Sequence, residues 1–187
     1  MAKKFFIFII LILGVYYSFN YFENNFFKNN REFVKRLPIQ NIEIAKYLGT
    51  WYEIARYPNW FEKDLVGVTA IYSLKDNNHI KVLNQGYVKI LNGKRKQIVG
   101  DAWMPNKQKK GSLKVSFFKP FSAGYYIVAI DKDYQYALVL SDSPNYLWIL
   151  SRKPILNEAI YNKLIALAKN LGVDVSQVVK IPQQEDK

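Results

Sequence analysis

Cysteine does not occur anywhere in this 187-residue chain. Its absence excludes a disulfide, a thiol nucleophile, a cysteine-ligated metal and a lipid anchor attached through cysteine, and leaves no indication of redox compartment. Histidine occurs once, as His79. There is accordingly no histidine pair for a metal, and neither a Ser/His/Asp set nor a glycine-rich phosphate loop is present. His79 follows Asp76-Asn77-Asn78 and reads as a solvent-exposed turn residue. Glu53 and Asp101 are too weak a pair to support acid–base chemistry. The expectation is no enzyme, no catalytic residues, no metal and no cofactor.

Acidic residues are scarce: 15 Asp+Glu stand against 27 Lys+Arg, for a net charge of +12. Such an excess favours polyanions or an anionic membrane surface and says little about fold. A nucleic-acid partner would need the charge gathered on one face. Here Lys94-Arg95-Lys96 and Lys107, Lys109 and Lys110 flank one predicted strand and fall at its opposite ends. A scattered, solvated surface with no nucleic-acid partner is the better account. Internal repeats of propeller length are also missing.

Apolar residues are plentiful, at 50% hydrophobic and 16% aromatic. The chain can bury the core of one domain and carry an appendage. That appendage is the amino terminus. Lys3 and Lys4 precede an apolar run through Phe22, the layout of an export signal. Residues 5–22 would make about 27 Å of helix, close to the thickness of a bilayer core. Tyr16, Tyr17 and Tyr21 suit an aromatic belt. Two readings stand for residues 1–22: an uncleaved membrane anchor, and a cleaved signal that would leave the protein secreted. Residues 23–45 read as a spacer, 46–183 as the main domain, and 184–187 as a tail.

Within the main domain, short alternating runs are separated by turn chemistry, the mark of an antiparallel sheet. The runs lie near 50–58, 66–74, 79–88, 94–104, 112–118, 123–131, 135–141 and 146–152. Eight strands so evenly spaced favour an up-and-down barrel or a sandwich. The period then changes. Ile160, Leu164, Leu167, Ala168 and Leu171 form one helical stripe, with Asn157 to cap its start and Gly172 to end it. A helix with one apolar face must lie against the outside of the sheet. Val178, Val179 and Ile181 suggest a last short strand.

Four stretches resemble the bacterial lipocalins and their animal relative apolipoprotein D. They are Tyr47-Leu48-Gly49-Thr50-Trp51-Tyr52-Glu53-Ile54-Ala55-Arg56, Val68-Thr69-Ala70-Ile71-Tyr72-Ser73-Leu74, Asp133-Tyr134-Gln135-Tyr136-Ala137-Leu138 and Leu150-Ser151-Arg152-Lys153-Pro154. The resemblance covers about residues 45–183. It implies an all-β fold: an eight-stranded up-and-down antiparallel barrel, with one C-terminal helix packed outside and the hydrophobic N-terminal helix added. It also implies that Trp51 closes one end with Arg152 across its ring and Gly49 beside them. Outer-membrane members of the group carry a lipidated cysteine, which this chain lacks.

Placing Trp51 inside and alternating outward assigns Glu53, Ala55 and Tyr57 to its side, and Ala129 to the interior. The candidate ligand-binding residues are Ala70, Tyr72, Val82, Asn84, Ile98, Val115, Phe117, Tyr125, Ile127, Val139, Tyr146 and Trp148. Trp60, Phe61 and Phe121 fall in loops at the open end, as a mouth rim. By resemblance, the expected function is storage or transport of a fatty acid or lysophospholipid in the cell envelope, with the membrane as partner through the N-terminal helix. A homodimer is left open. The competing readings are a membrane-tethered structural or stress protein with a filled barrel, and a lipocalin-fold enzyme.

Overall fold

A computed structural model of the chain describes residues 23–184. The anchor or signal expected at 1–22 lies outside those residues. Among the described residues, no helix is long and apolar enough to cross a membrane.

The expected strands are present: β1 (Gly49–Arg56), β2 (Leu65–Leu74), β3 (Ile80–Val88), β4 (Arg95–Trp103), β5 (Ser112–Phe118), β6 (Phe121–Ile130), β7 (Tyr136–Leu140) and β8 (Leu147–Ser151). Each pairs antiparallel with the next, and β1 pairs with both β2 and β8, so the sheet closes on itself. Closure removes the unpaired edges that an open sheet would present. Turn chemistry behaves as the sequence suggests: Asn77 and Asn92 adopt left-handed φ values of 64° and 61° in the turns flanking β3.

Alternation sorts the apolar residues into two cores. One fills the interior, around Trp51, Tyr72, Val82, Ile127 and Val139. The other lies on the outer face, where Leu138, Leu140, Leu147 and Ile149 are covered by the helix α3 (Glu158–Asn170) through Leu164 and Ala168. Asn157 caps α3 by accepting from the amides of Ala159 (2.9 Å) and Ile160 (3.4 Å). Gly172 ends it at φ 95°, a conformation that only glycine adopts without strain.

Two bulges overturn parts of the expected inward set. The β1–β8 register shifts between Glu53 and Ala55, sending Ala55 and Tyr57 to the outer core and turning Arg56 inward. The β6–β7 register shifts between Ile127 and Ala129, so Ala129 also joins the outer core and Ile130 packs inside. One extra residue in a strand swaps the faces of everything beyond it.

The segment 23–45 is more than a spacer. Residues 23–35 form a helix, α1, and α2 (Ile44–Tyr47) runs into β1. Phe33 and Leu37 are buried in the outer core and Ile42 in the inner one. Gln40 fixes the crossing by donating its amide to Ile127 O at 2.9 Å.

At the other terminus, β9 (Val179–Lys180) pairs with β1 where β2 has departed. Gln183, the last residue of the expected domain, donates to Glu53 O (2.8 Å) and Val68 O (3.0 Å), closing the seam between β1 and β2.

Candidate functional site

The floor of the barrel is built around Trp51, which is fully buried and donates its indole N–H to Tyr47 O at 2.7 Å. The Arg152 guanidinium lies 3.9 Å from the centre of that ring. It also donates to Lys46 O, Leu48 O and Thr50 O at 2.8 Å each, and to Tyr47 O at 3.2 Å. Lys46, Tyr47 and Leu48 end α2, whose last carbonyls have no partners within the helix. Arg152 therefore satisfies a helix C-terminus and covers the indole with one side chain. Gly49, at φ 92°, carries the chain past the guanidinium; a Cβ there would lie 3.4 Å from Arg152 Nη1.

Above the floor, three phenols form a chain. The Tyr125 hydroxyl is 2.7 Å from that of Tyr47 and 2.8 Å from that of Tyr72. Burial, first, pushes all three phenol pKa values well above the ordinary tyrosine range. Two hydrogen bonds use two of the three protons, leaving one O–H of the chain to donate elsewhere.

The structure turns most of the sequence-selected residues to one interior. Ala70, Tyr72, Val82, Ile127 and Val139 are buried members of the inner core, and Val115, Phe117, Tyr125 and Trp148 are half-buried against it. Ile98 pairs with Asn84 across β3 and β4. Tyr146 precedes β8 and stacks on Trp148, with centroids 6.3 Å apart. The Asn84 amide is distinctive: its Oδ1 is buried without a hydrogen-bond partner among the described residues. A buried acceptor left unpaired costs about 1–3 kcal/mol.

Glu53, expected inside, belongs to a buried polar cluster whose other members were not foreseen. Glu53, Arg56 and Glu62 are all buried. Arg56 donates to Glu53 Oε1 at 2.7 Å, to Glu62 O at 2.6 Å and to Leu65 O at 3.2 Å. Glu62 Oε2 accepts from Asn59 Nδ2 (2.5 Å) and from the Trp148 indole (3.1 Å). Burial, and then the charge of Glu62, push the Glu53 carboxyl well above its ordinary range; the Arg56 ion pair opposes them and does not win. In an unbroken strand, residues three apart face opposite ways, so only the bulge brings Glu53 and Arg56 together.

The loops after β1, β3 and β5 share one end of the barrel, as alternating antiparallel strands require. Trp60, Phe61 and Phe121 are exposed there, at 78%, 43% and 77%. His79, at the other end, is half-exposed, bonded to Asp101 at 2.8 Å and stacked on Trp103.

A family model described as a lipocalin-like domain matches residues 42–183. The outer membrane lipoprotein Blc of Escherichia coli strain K12 is 41% identical over 145 residues, covering 78% of this chain and 81% of that protein. Temperature-induced lipocalin-1 of Arabidopsis thaliana is 36% identical over 156 residues, covering 79% and 82%. Apolipoprotein D of Rattus norvegicus is 35% identical over 150 residues, covering 75% and 77%. Among solved structures, insecticyanin of the tobacco hornworm Manduca sexta superposes with a TM-score of 0.63 at 21% identity, covering 80% of this chain and 85% of that one. Lobster apocrustacyanin A1 gives 0.61 at 24%, covering 75% and 79%. At such identities the structural likeness concerns the fold alone. With the family model spanning the whole barrel, and the Trp51–Arg152 closure in place, this chain belongs to the lipocalin family.

Proposed function

We infer that the chain is a lipid carrier, holding one fatty acid, lysophospholipid or similar elongated amphiphile inside the barrel. Lipocalins as a family are binding and transport proteins. The observation that carries the reading is the unpaired Asn84 amide, set on an otherwise apolar wall between Ala70 and Ile98. An amphiphile supplies what both features lack: methylenes for the wall, at about 0.8 kcal/mol each when buried, and a hydroxyl or protonated carboxyl that can donate to Asn84 Oδ1. The spare phenolic O–H of the Tyr47–Tyr125–Tyr72 chain offers a complementary donor.

Relatives in E. coli and Vibrio cholerae carry the name outer membrane lipoprotein, which supports a place in the cell envelope. Lacking cysteine, this chain would be held by residues 1–22, with 46–183 as the extracytoplasmic carrier domain.

The direct test is native mass spectrometry of the protein purified from its own host, together with displacement of a fluorescent fatty acid. A protein free of lipid that displaces nothing would overturn the reading and favour a filled barrel. Asn84→Leu gives a finer test. It should weaken headed amphiphiles about five- to tenfold relative to a bare alkane, the equivalent of one hydrogen bond. Equal effects on both would remove Asn84 from the site.

A further inference from the structure

We propose that the mouth of the barrel is a docking surface for an anionic phospholipid bilayer, so that cargo passes between membrane and barrel without crossing water. The proposal extends the carrier reading, but its test does not use cargo uptake. Five large apolar side chains are exposed in the loops and strand ends that ring the mouth: Trp60 (78%), Phe61 (43%), Ile90 (68%), Phe118 (63%) and Phe121 (77%). Two of them pair edge to face, with Trp60 and Phe61 ring centroids 5.6 Å apart. Two others, Phe118 and Phe121, face each other across the β5–β6 turn. Side chains folded over the opening to seal it would be covered; these point into solvent. Exposed apolar side chains gathered at one end of the barrel mark an interaction surface.

Charge names the partner. Lys63, Lys89, Lys94 and Lys119 are exposed in the same three loops. Against them stand the exposed Asp64 and, in the loop after β7, the half-exposed Asp142, which is tied down by Gly124 N and the Tyr126 hydroxyl, while Glu62 is turned inward and buried. Aromatic tips interleaved with lysines match a bilayer whose headgroups are anionic and whose interior is apolar. A second copy of this surface would bring like charges together.

The tip is also held rigid. Arg56 grips Glu62 O and Leu65 O from inside the barrel, and Asn59 Oδ1 accepts from the Glu62 amide at 2.8 Å. Trp60 and Phe61 sit between these fixed points, so insertion requires little ordering of the loop.

The full-length chain is placed on vesicles of phosphatidylglycerol with brominated acyl chains, and on matched phosphatidylcholine vesicles. Tryptophan quenching is then read. The expected result is strong quenching on phosphatidylglycerol that largely disappears in Trp60→Phe, because Trp51 is enclosed in the floor, Trp103 stacks on His79 at the opposite end and Trp148 is half-buried. Lys63→Gln with Lys119→Gln should lower the ratio of docked to undocked protein about 30-fold, at about fivefold per charge. Added salt should act in the same direction. Equal quenching in wild type and Trp60→Phe would overturn the proposal, and so would equal quenching on the two lipids. Shielding of Trp60 that grows with protein concentration would assign the surface to a second copy instead. A chain that is quenched as expected yet displaces no fatty acid would leave the docking surface standing and remove the carrier reading.

Discussion

Replacing Arg56 by methionine tests whether a buried carboxylate in this barrel depends on one guanidinium. Arg56 is 5% exposed and holds Glu53 Oε1 at 2.7 Å, along with two backbone carbonyls. Removing one member of a buried ion pair costs about 3–5 kcal/mol, because its partner is left charged and unsolvated. That is a large share of the roughly 5–15 kcal/mol that separates folded from unfolded states. Glu53 has an escape: it can bind a proton. Its folded pKa is already above the ordinary value of 4.5, through burial and the charge of Glu62. A carboxyl whose pKa is raised on folding holds more protons in the folded state. Its contribution to stability is therefore complete below the unfolded value and lost as pH rises through the folded one. Without Arg56 the folded pKa climbs further, so the penalty should be about 4 kcal/mol at pH 8 and clearly smaller at pH 5, changing by at most about 1.4 kcal/mol per pH unit. Urea unfolding of the full-length chain in detergent, followed by tryptophan emission, measures both. Adding Glu53→Gln should recover part of the loss at pH 8 and little at pH 5. A loss of stability equal at the two pH values, with no rescue by Glu53→Gln, would refute the account and leave only the missing carbonyl contacts.

Arg152→Lys should destabilise the barrel by about 2–4 kcal/mol, since an ammonium cannot span four carbonyls and also lie flat on the Trp51 ring; urea unfolding checks this, and a change below about 0.5 kcal/mol would contradict it. The buried phenols of Tyr47, Tyr72 and Tyr125 should stay protonated in the folded protein at pH values where exposed tyrosines have ionised, because burial raises all three. Ultraviolet titration should show them appearing only with unfolding, and stability should fall as pH rises above the ordinary tyrosine range. Tyr125→Phe breaks both phenol contacts and should cost about 1–3 kcal/mol, with Tyr72→Phe, at the end of the chain, costing less.

Much of the architecture was legible in the chain because the relevant signals are local. A two-residue period marks β2 through β8, and a 3.6-residue stripe with Asn157 and Gly172 at its ends marks α3. The pairing of Trp51 with Arg152, a hundred residues apart, could be read only through a resemblance of motifs. What no local pattern carries is where a strand gains an extra residue. The shift after Glu53 moved Ala55 out and Arg56 in, and the shift after Ile127 moved Ala129 out. For that reason the Glu53–Arg56–Glu62 network went unforeseen while Tyr72, Val82 and Val139 were placed inside. The packing of Phe33, Leu37 and Ile42 and the Gln183 clamp on Glu53 and Val68 likewise depended on surfaces that exist only once the barrel has closed. The sequence by itself determined which residues alternate and therefore which fold forms. The tertiary structure alone decided which polar groups meet inside it, because closing the ring sets the bulges and the bulges set the faces.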